Sequence, residues 1–346
     1  LPVYTQPEIL DLRHFSAAQL RPLLRDEAER WQRRLLWDYT RSAQMLLEYL
    51  DARILPGYVG LRSGAIQGYA FSVFEASKAV IGDVYALNET EAIENPLCDT
   101  MLDHLIETLQ NTPGIDRIES QLLMFPAGAL HRPFLGAGFR AAPRLFMLAE
   151  LQASPSLASS SEFDGPRVSP VPFTPSEIKG MPALPANFFI HPWQPEIYEA
   201  AAALIHRCYK GHMDAGINDQ YRTLHGAQRF LHNIIRFPGC GVFDPDHSLA
   251  LRDRSTGAIV GLILCSRIRS DVGHITQLCI EPALRGQGLG QHLLAQCASH
   301  LAERGVAYLS LTVTEANTSA LRLYEKQGFR TLHRFEAMVW DKAFSA

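Results

Sequence analysis

The sequence predicts an α/β protein, with mixed α+β sheets flanked by helices, built twice along the chain. Three observations carry this. The chain's 346 residues exceed one ordinary domain and suit two. Short apolar runs alternate with amphipathic helical stretches in a similar order in both halves. A Ser- and Pro-rich stretch over 153–185 parts the halves, because proline lacks an amide donor and fits neither a helix interior nor a central strand. The expected division is a domain over 1–152, a linker over 153–185 and a domain over 186–346.

In the first half, Ile9–Leu12 reads as a strand and Ala17 to about Asp51 as helical. Gly57–Leu61, Gln67–Phe74 and Val80–Leu87 read as strands. Leu97, Met101, Leu102, Leu105 and Leu109 share one face of a helix. Ile118–Leu123 and Phe139–Leu151 follow as β structure. In the second half, Phe188–Ile190 is a short strand, and Glu196–Tyr209 and Leu224–Ile235 are helices. Ser248–Arg252, Ile259–Ile268 and His274–Ile280 are strands joined by tight turns. A helix opens at Leu289, with Leu293, Leu294, Cys297, Ala298 and Leu301 on its stripe, and Gly305 ends it. Strand Tyr308–Val313, helix Thr318–Lys326 and a β run over Phe329–Trp340 close the chain. At an offset of 190 residues, Gly138-Phe139-Arg140 falls on Gly328-Phe329-Arg330, Ser120 on Ser310 and Phe134 on Tyr324. These matches and the shared element order favour a tandem duplication.

Composition narrows the functional classes. Hydrophobic residues make up 47% and charged residues 20%, as in a soluble globular protein. No apolar run approaches a membrane span, and the opening residues Leu1-Pro2-Val3-Tyr4 lack the pattern of a signal peptide. The net charge is −4 with both signs interspersed, so neither a nucleic-acid nor a membrane partner is expected. The six cysteines show no C-x-x-C spacing and fit a reduced, cytoplasmic setting. The thirteen histidines form no ligand motif, so no metal is expected.

Chemistry concentrates near the C-terminus. Gln277-Leu278-Cys279-Ile280-Glu281-Pro282-Ala283-Leu284 leads from a strand into Arg285-Gly286-Gln287-Gly288-Leu289-Gly290 and a helix. A helix start offers unpaired amides and the positive dipole end, and glycines let phosphate oxygens come close to the backbone. An ordinary glycine-rich turn has the same outline. Downstream, Asn317 and Tyr324 are seven residues apart and share a helix face. Asn317 also reads as a helix N-cap, and Tyr324 as a core aromatic beside Leu321.

The two segments together, in this order and spacing, resemble the GNAT superfamily of acyl-CoA-dependent N-acyltransferases. Arg285, Gly288 and Gly290 match its loop pattern, and Asn317, Tyr324, Gly328 and Phe329 match its second motif. The resemblance covers about 186–340. It implies two tandem GNAT-like domains and acetyl-CoA as co-substrate. The pantetheine arm is expected on the backbone of Leu278, Cys279 and Ile280, and the pyrophosphate on the amides of Gly286, Gln287, Gly288, Leu289 and Gly290. Arg285 is expected to add charge at the loop's entrance. Asn317 is expected to order the helix start or contact pantetheine, and Tyr324 to protonate or hydrogen-bond the departing thiolate. A primary amine then attacks the thioester directly, with the chain acting as a monomer or homodimer. Strict alternation places His274, Thr276 and Leu278 on one face. The arylalkylamine N-acetyltransferases are similar in carrying His there, so His274 is the expected general base; an exposed strand residue is the plainer reading. In the first half, Ala86–Pro96 holds no glycine and three acidic residues, Phe134 stands for Tyr324 and Ala127 for Asn317. This half is expected to be a degenerate copy without cofactor. A sensor or scaffold that binds acyl-CoA without turnover is the alternative function.

Overall fold

The computed structural model describes residues 6–87, 96–151 and 183–344. Most of the expected linker and the stretch 88–95 of the first-half loop fall outside the described residues. The chain forms two compact units. Their membership departs from the 1–152 and 186–346 halves. The first unit comprises the described parts of Leu1–Gln32, Tyr39–Arg144 and His333–Ala346. The second comprises those of Arg33–Asp38 and Leu145–Leu332.

The first unit contains β1 (Glu8–Asp11), most of α1 (Ala17–Leu35), α2 (Thr40–Asp51), β2 (Gly57–Arg62), β3 (Ala65–Glu75), β4 (Lys78–Ala86), α3 (Pro96–Asn111), β5 (Arg117–Gln121) and α4 (His131–Gly136). The single helix expected up to Asp51 is two helices, because Leu36 adopts a left-handed φ of 55° and turns the chain. The short α4 contains Pro133, which obscures it in the sequence. β6 (Arg140–Glu150) begins in the first unit and enters the second at Leu145. The first unit's sheet order is β1-β2-β3-β4-β5, with the chain's last strand, β13 (Arg330–Asp341), against β5. α1 and α2 bury one face, where Leu20, Leu24, Leu46 and Leu47 pack on Val59 and Tyr69.

The second unit contains β7 (Phe188–Pro192), α5 (Tyr198–Tyr209), α6 (Leu224–Arg236), β8 (Val242–Phe243), β9 (Leu249–Asp253), β10 (Ile259–Arg269), β11 (Val272–Ile280), α7 (Leu289–Glu303), β12 (Tyr308–Thr314) and α8 (Thr318–Lys326). Its order is β7-β9-β10-β11-β12-β6, with β8 beside β10. The Leu151 amide donates to the Ala307 carbonyl at 2.7 Å, tying the end of this added segment to the start of β12. One face is covered by α7 through Leu293, Leu294 and Leu301. The other is covered by α5 and α6 through Leu204, Ile205 and Leu231.

The repeat is plainer in the backbone than in the residues. In the first unit, β3 and β4 lose register between Phe71 and Ser72. In the second, β10 and β11 do so between Leu264 and Cys265. Each bulged strand then pairs in parallel over four residues only: Lys78–Ile81 with Arg117–Ser120, and Val272–Ile275 with Tyr308–Leu311. A bulge re-aims one strand and ends its pairing, so in both units two neighbouring strands part at the same place.

The exchanged ends carry a prediction. A 186–346 fragment lacks Leu145, Met147, Ala149 and Leu151, which belong to the second unit's core. It also carries 333–341 without the β5 partner. Loss of four apolar core residues exposes β12 as an edge, so the fragment is expected to aggregate or self-associate in size-exclusion chromatography. A monodisperse fragment with the full chain's melting temperature would show that the added segment is dispensable.

Candidate active site

The opening between β11 and β12 starts where their pairing stops, after Ile275 and Leu311. The bulge at Thr276, whose hydroxyl donates to the Leu264 carbonyl at 3.2 Å, corrects the expected facing of side chains. Strict alternation would group His274, Thr276 and Leu278. Instead Leu278 packs on the α7 side, while Cys279 joins the α5–α6 side. Gln277 is held there too: its Nε2 donates to the Tyr209 hydroxyl at 2.8 Å, and the Tyr221 hydroxyl donates to its Oε1 at 3.1 Å. The rings of Tyr209 and Tyr221 stack with centroids 4.0 Å apart.

His274 is a buried residue and not an exposed strand residue. Its side chain is buried, with Trp37 at 5.0 Å and Phe146 stacked at 6.1 Å between ring centroids. Its Nδ1 shares a 2.9 Å hydrogen bond with the Ser310 hydroxyl. Burial lowers its pKa to about 3 from the ordinary 6.5. The sequence shows neither aromatic neighbour, because both lie far away along the chain. Below pH 6.5 the unfolded chain takes up a proton that the folded chain refuses. Stability therefore falls as pH drops from 6.5 toward 3, by about 1.4 kcal/mol per pH unit for this group. Urea denaturation of the wild type and His274→Gln at pH 7 and pH 5 should show the wild type losing about 2 kcal/mol more than the variant. Equal losses would mean that His274 titrates normally.

The glycine loop is built as a cradle. Gly286 and Gly288 have φ of 80° and 77°, a region that L side chains rarely adopt. Added side chains there would meet nothing within 4 Å, so the loop faces open space. Gly288 is the N-cap of α7, and no side chain caps it. The helix's first amides are thus presented outward at the positive dipole end. Gln287 is exposed, whereas Leu289 turns into the core. At Gly290 an added Cβ would make ordinary contacts with Ile280 at 3.6 Å and Leu323 at 3.7 Å. An anionic pyrophosphate fits these residues. Arg285 takes a different place from the one expected. Its guanidinium donates to the Ile280 carbonyl at 3.2 Å and the Cys208 carbonyl at 2.8 Å, pinning the loop to β11 and α5. The Cys208 thiol also donates to the Ile280 carbonyl at 3.2 Å, so that acceptor is already engaged.

Asn317 caps α8, its side chain accepting from the Ala320 amide at 3.2 Å. Tyr324 is the buried residue of that helix and stands 5.8 Å from the Phe329 ring. Burial, and then the charges of Asp214 and Cys279, push its phenol well above the ordinary range. Tyr324 belongs to the α7 side, and Asp214 lies in the turn Met213–Gly216 between α5 and α6. Nothing in the local sequence singles out Asp214.

A sheet parted beside a bulge, an uncapped glycine turn and a buried tyrosine across the gap are what an acyl-CoA-dependent N-acyltransferase fold requires. Residues 214–329 match the acetyltransferase (GNAT) family. A GCN5-related N-acetyltransferase from Sphaerobacter thermophilus superposes over 99% of this chain and 97% of its own, with TM-score 0.59 and 16% identity. A tandem GNAT protein from the clavulanic acid biosynthesis pathway superposes over 99% of this chain and 100% of its own, with TM-score 0.59 and 11% identity. The fold of the chain is accordingly the tandem GNAT fold. Among curated relatives, the mycothiol acetyltransferase of Streptosporangium roseum is 47% identical over 58 residues, 17% of either chain. That of Gordonia bronchialis is 32% identical over 105 residues, 30% of this chain and 33% of the relative. The matched segments thus span a third or less of those two relatives' lengths.

Proposed function

We propose that this protein is an N-acetyltransferase that moves an acetyl group from acetyl-CoA to a primary amine at one site, in the second unit. The acceptor class is a small amine, an amino-acid derivative or a peptide N-terminus. The observation that carries the reading is the outward-facing Gly286–Gly290 cradle beside the parted strands, with Tyr324 across the gap. The cradle amides hold the pyrophosphate, and the backbone at Leu278 and Cys279 receives the pantetheine arm. Acetyl-CoA supplies the activated acyl carbon, so the protein needs no nucleophile of its own. Backbone amides in the opening polarise the thioester carbonyl. Tyr324, kept protonated by burial, donates to the departing sulfur. Asn317 acts through α8, whose first turn it orders.

The first unit serves as a degenerate copy without cofactor. Asp83 follows its bulge where Gln277 follows the other. It belongs to a closed polar cluster: Tyr39 donates to Asp83 at 3.0 Å, and Tyr69 and Trp31 donate to Glu27 at 2.5 Å and 3.1 Å. Glu27 is fully buried, and burial raises Asp83 to about 6. Phe134, fully buried against Phe139 at 5.0 Å, brings no hydroxyl. A reducing, cytoplasmic setting suits a chain whose six cysteines form no disulfide among the described residues. Among the described residues no helix is long and apolar enough to cross a membrane. Free-thiol titration during incubation of acetyl-CoA with an amine panel tests the reading. Thiol release that depends on an amine supports it; tight acetyl-CoA binding without release across the panel favours the acyl-CoA-binding sensor or scaffold.

A further inference from the structure

We infer that Asp214 is the anchor for the acceptor's ammonium group, and that the site therefore selects amines with no carboxylate next to the nitrogen; this rests on the acetyl-transfer reading above. Asp214 opens the 3-10 turn Met213–Gly216. Thr314, the last residue of β12, donates its hydroxyl to Asp214 Oδ1 at 2.6 Å. That bond fixes the carboxylate at the wall of the opening opposite β11. The Asp214 amide donates to His212 Nδ1 at 3.2 Å, which sets the turn. The His212 ring stands edge-on to Tyr209 at 5.1 Å and 71°. Tyr209 stacks on Tyr221, which meets Phe230 at 4.9 Å.

A carboxylate thus stands at the end of β12, beyond the point where the strands part, beside a packed aromatic cluster. The Asp214 and His212 side chains are 15% and 22% exposed, so solvent reaches them and a small solute can too. The charge of Asp214 helps, after burial, to raise the phenols of both Tyr209 and Tyr324. This suits an ammonium group, which pairs with a fixed anion through charge-assisted hydrogen bonds. An amino acid presents its own carboxylate beside the amine, and that group is repelled at the same spot. Asp214 is therefore a binding and specificity residue: the anchored ammonium gives up one proton to water before the neutral nitrogen attacks, and the nitrogen's next proton replaces the one Tyr324 donates to sulfur.

The experiment uses the full-length chain, acetyl-CoA and three matched pairs: 2-phenylethylamine with phenylalanine, ethanolamine with serine, and histamine with histidine. Thiol release gives kcat and KM. The wild type should favour the amine over its amino acid by at least about tenfold in kcat/KM in any pair it uses. Asp214→Asn should raise the amine KM about tenfold or more and shrink that preference, with acetyl-CoA affinity by calorimetry unchanged. Thr314→Val should raise the amine KM in the same direction by a smaller factor. An unchanged amine KM in Asp214→Asn, or equal use of amine and amino acid by the wild type, overturns the inference while leaving acetyl transfer intact. Should Asp214→Asn not fold, the wild-type preference and Thr314→Val still decide. A wild type that releases thiol with none of the amines defeats the transfer reading, and this inference with it.

Discussion

Gly288→Glu should abolish measurable acetyl-CoA binding while the protein stays folded. Gly288 caps α7 at φ 77°, and an added side chain meets nothing within 4 Å. The substitution therefore meets no steric barrier inside the fold. Two effects add. A non-glycine residue at positive φ costs about 1–2 kcal/mol and tends to pull the turn out of shape. A carboxylate at the helix N-terminus then occupies the field that the pyrophosphate needs. Together they are expected to weaken binding by about a hundredfold or more, since each 1.4 kcal/mol is about tenfold. Gly288→Ala separates the two, because it keeps the backbone cost without the charge and should lose about tenfold. Isothermal calorimetry reads both, and circular dichroism checks the fold. Wild-type affinity in Gly288→Glu would mean that the anion binds elsewhere.

Tyr324→Phe should lower kcat by about a hundredfold and leave acetyl-CoA affinity nearly unchanged, as for loss of a single general acid. The phenol is buried and held well above its ordinary range, so it carries its proton throughout the neutral range. Its hydroxyl matters as negative charge grows on sulfur, and little before that. Phenylalanine preserves the contact with Phe329, so packing is retained. The experiment requires an acceptor for which chemistry limits the rate; pre-steady-state thiol release establishes this. Equal single-turnover rates in wild type and variant would remove Tyr324 from the mechanism.

Much of this fold was legible in the sequence because its signals are local. The α8 bounds Thr318–Lys326 follow from period and a capping Asn317, and the glycine turn into α7 from three glycines at a helix start. What escaped is non-local. The bulge at Thr276 inserts one residue and moves Gln277 and Cys279 to the α5–α6 face, which period-two alternation cannot anticipate. The Arg285 guanidinium turns to two carbonyls, one of them 77 positions away along the chain. The exchanged strand ends were also invisible. β6 and β13 have the same length class and pattern, and nothing local says which sheet each will join.

That exchange bears on how the chain is made. A ribosome releases residues in order, and β5 emerges more than two hundred residues before its partner β13, which covers Arg330–Asp341. Until then the first unit waits with an open edge at Arg117–Gln121, while the second can finish its own sheet with a segment already synthesised. The second unit is thus the one able to mature during translation, although it lies later in the chain, and the first matures last. A nascent chain stalled before residue 330 holds an uncapped β edge, the kind of surface that chaperones cover. Truncation before residue 335 should accordingly damage solubility more than its distance from the Gly286–Gly290 loop suggests.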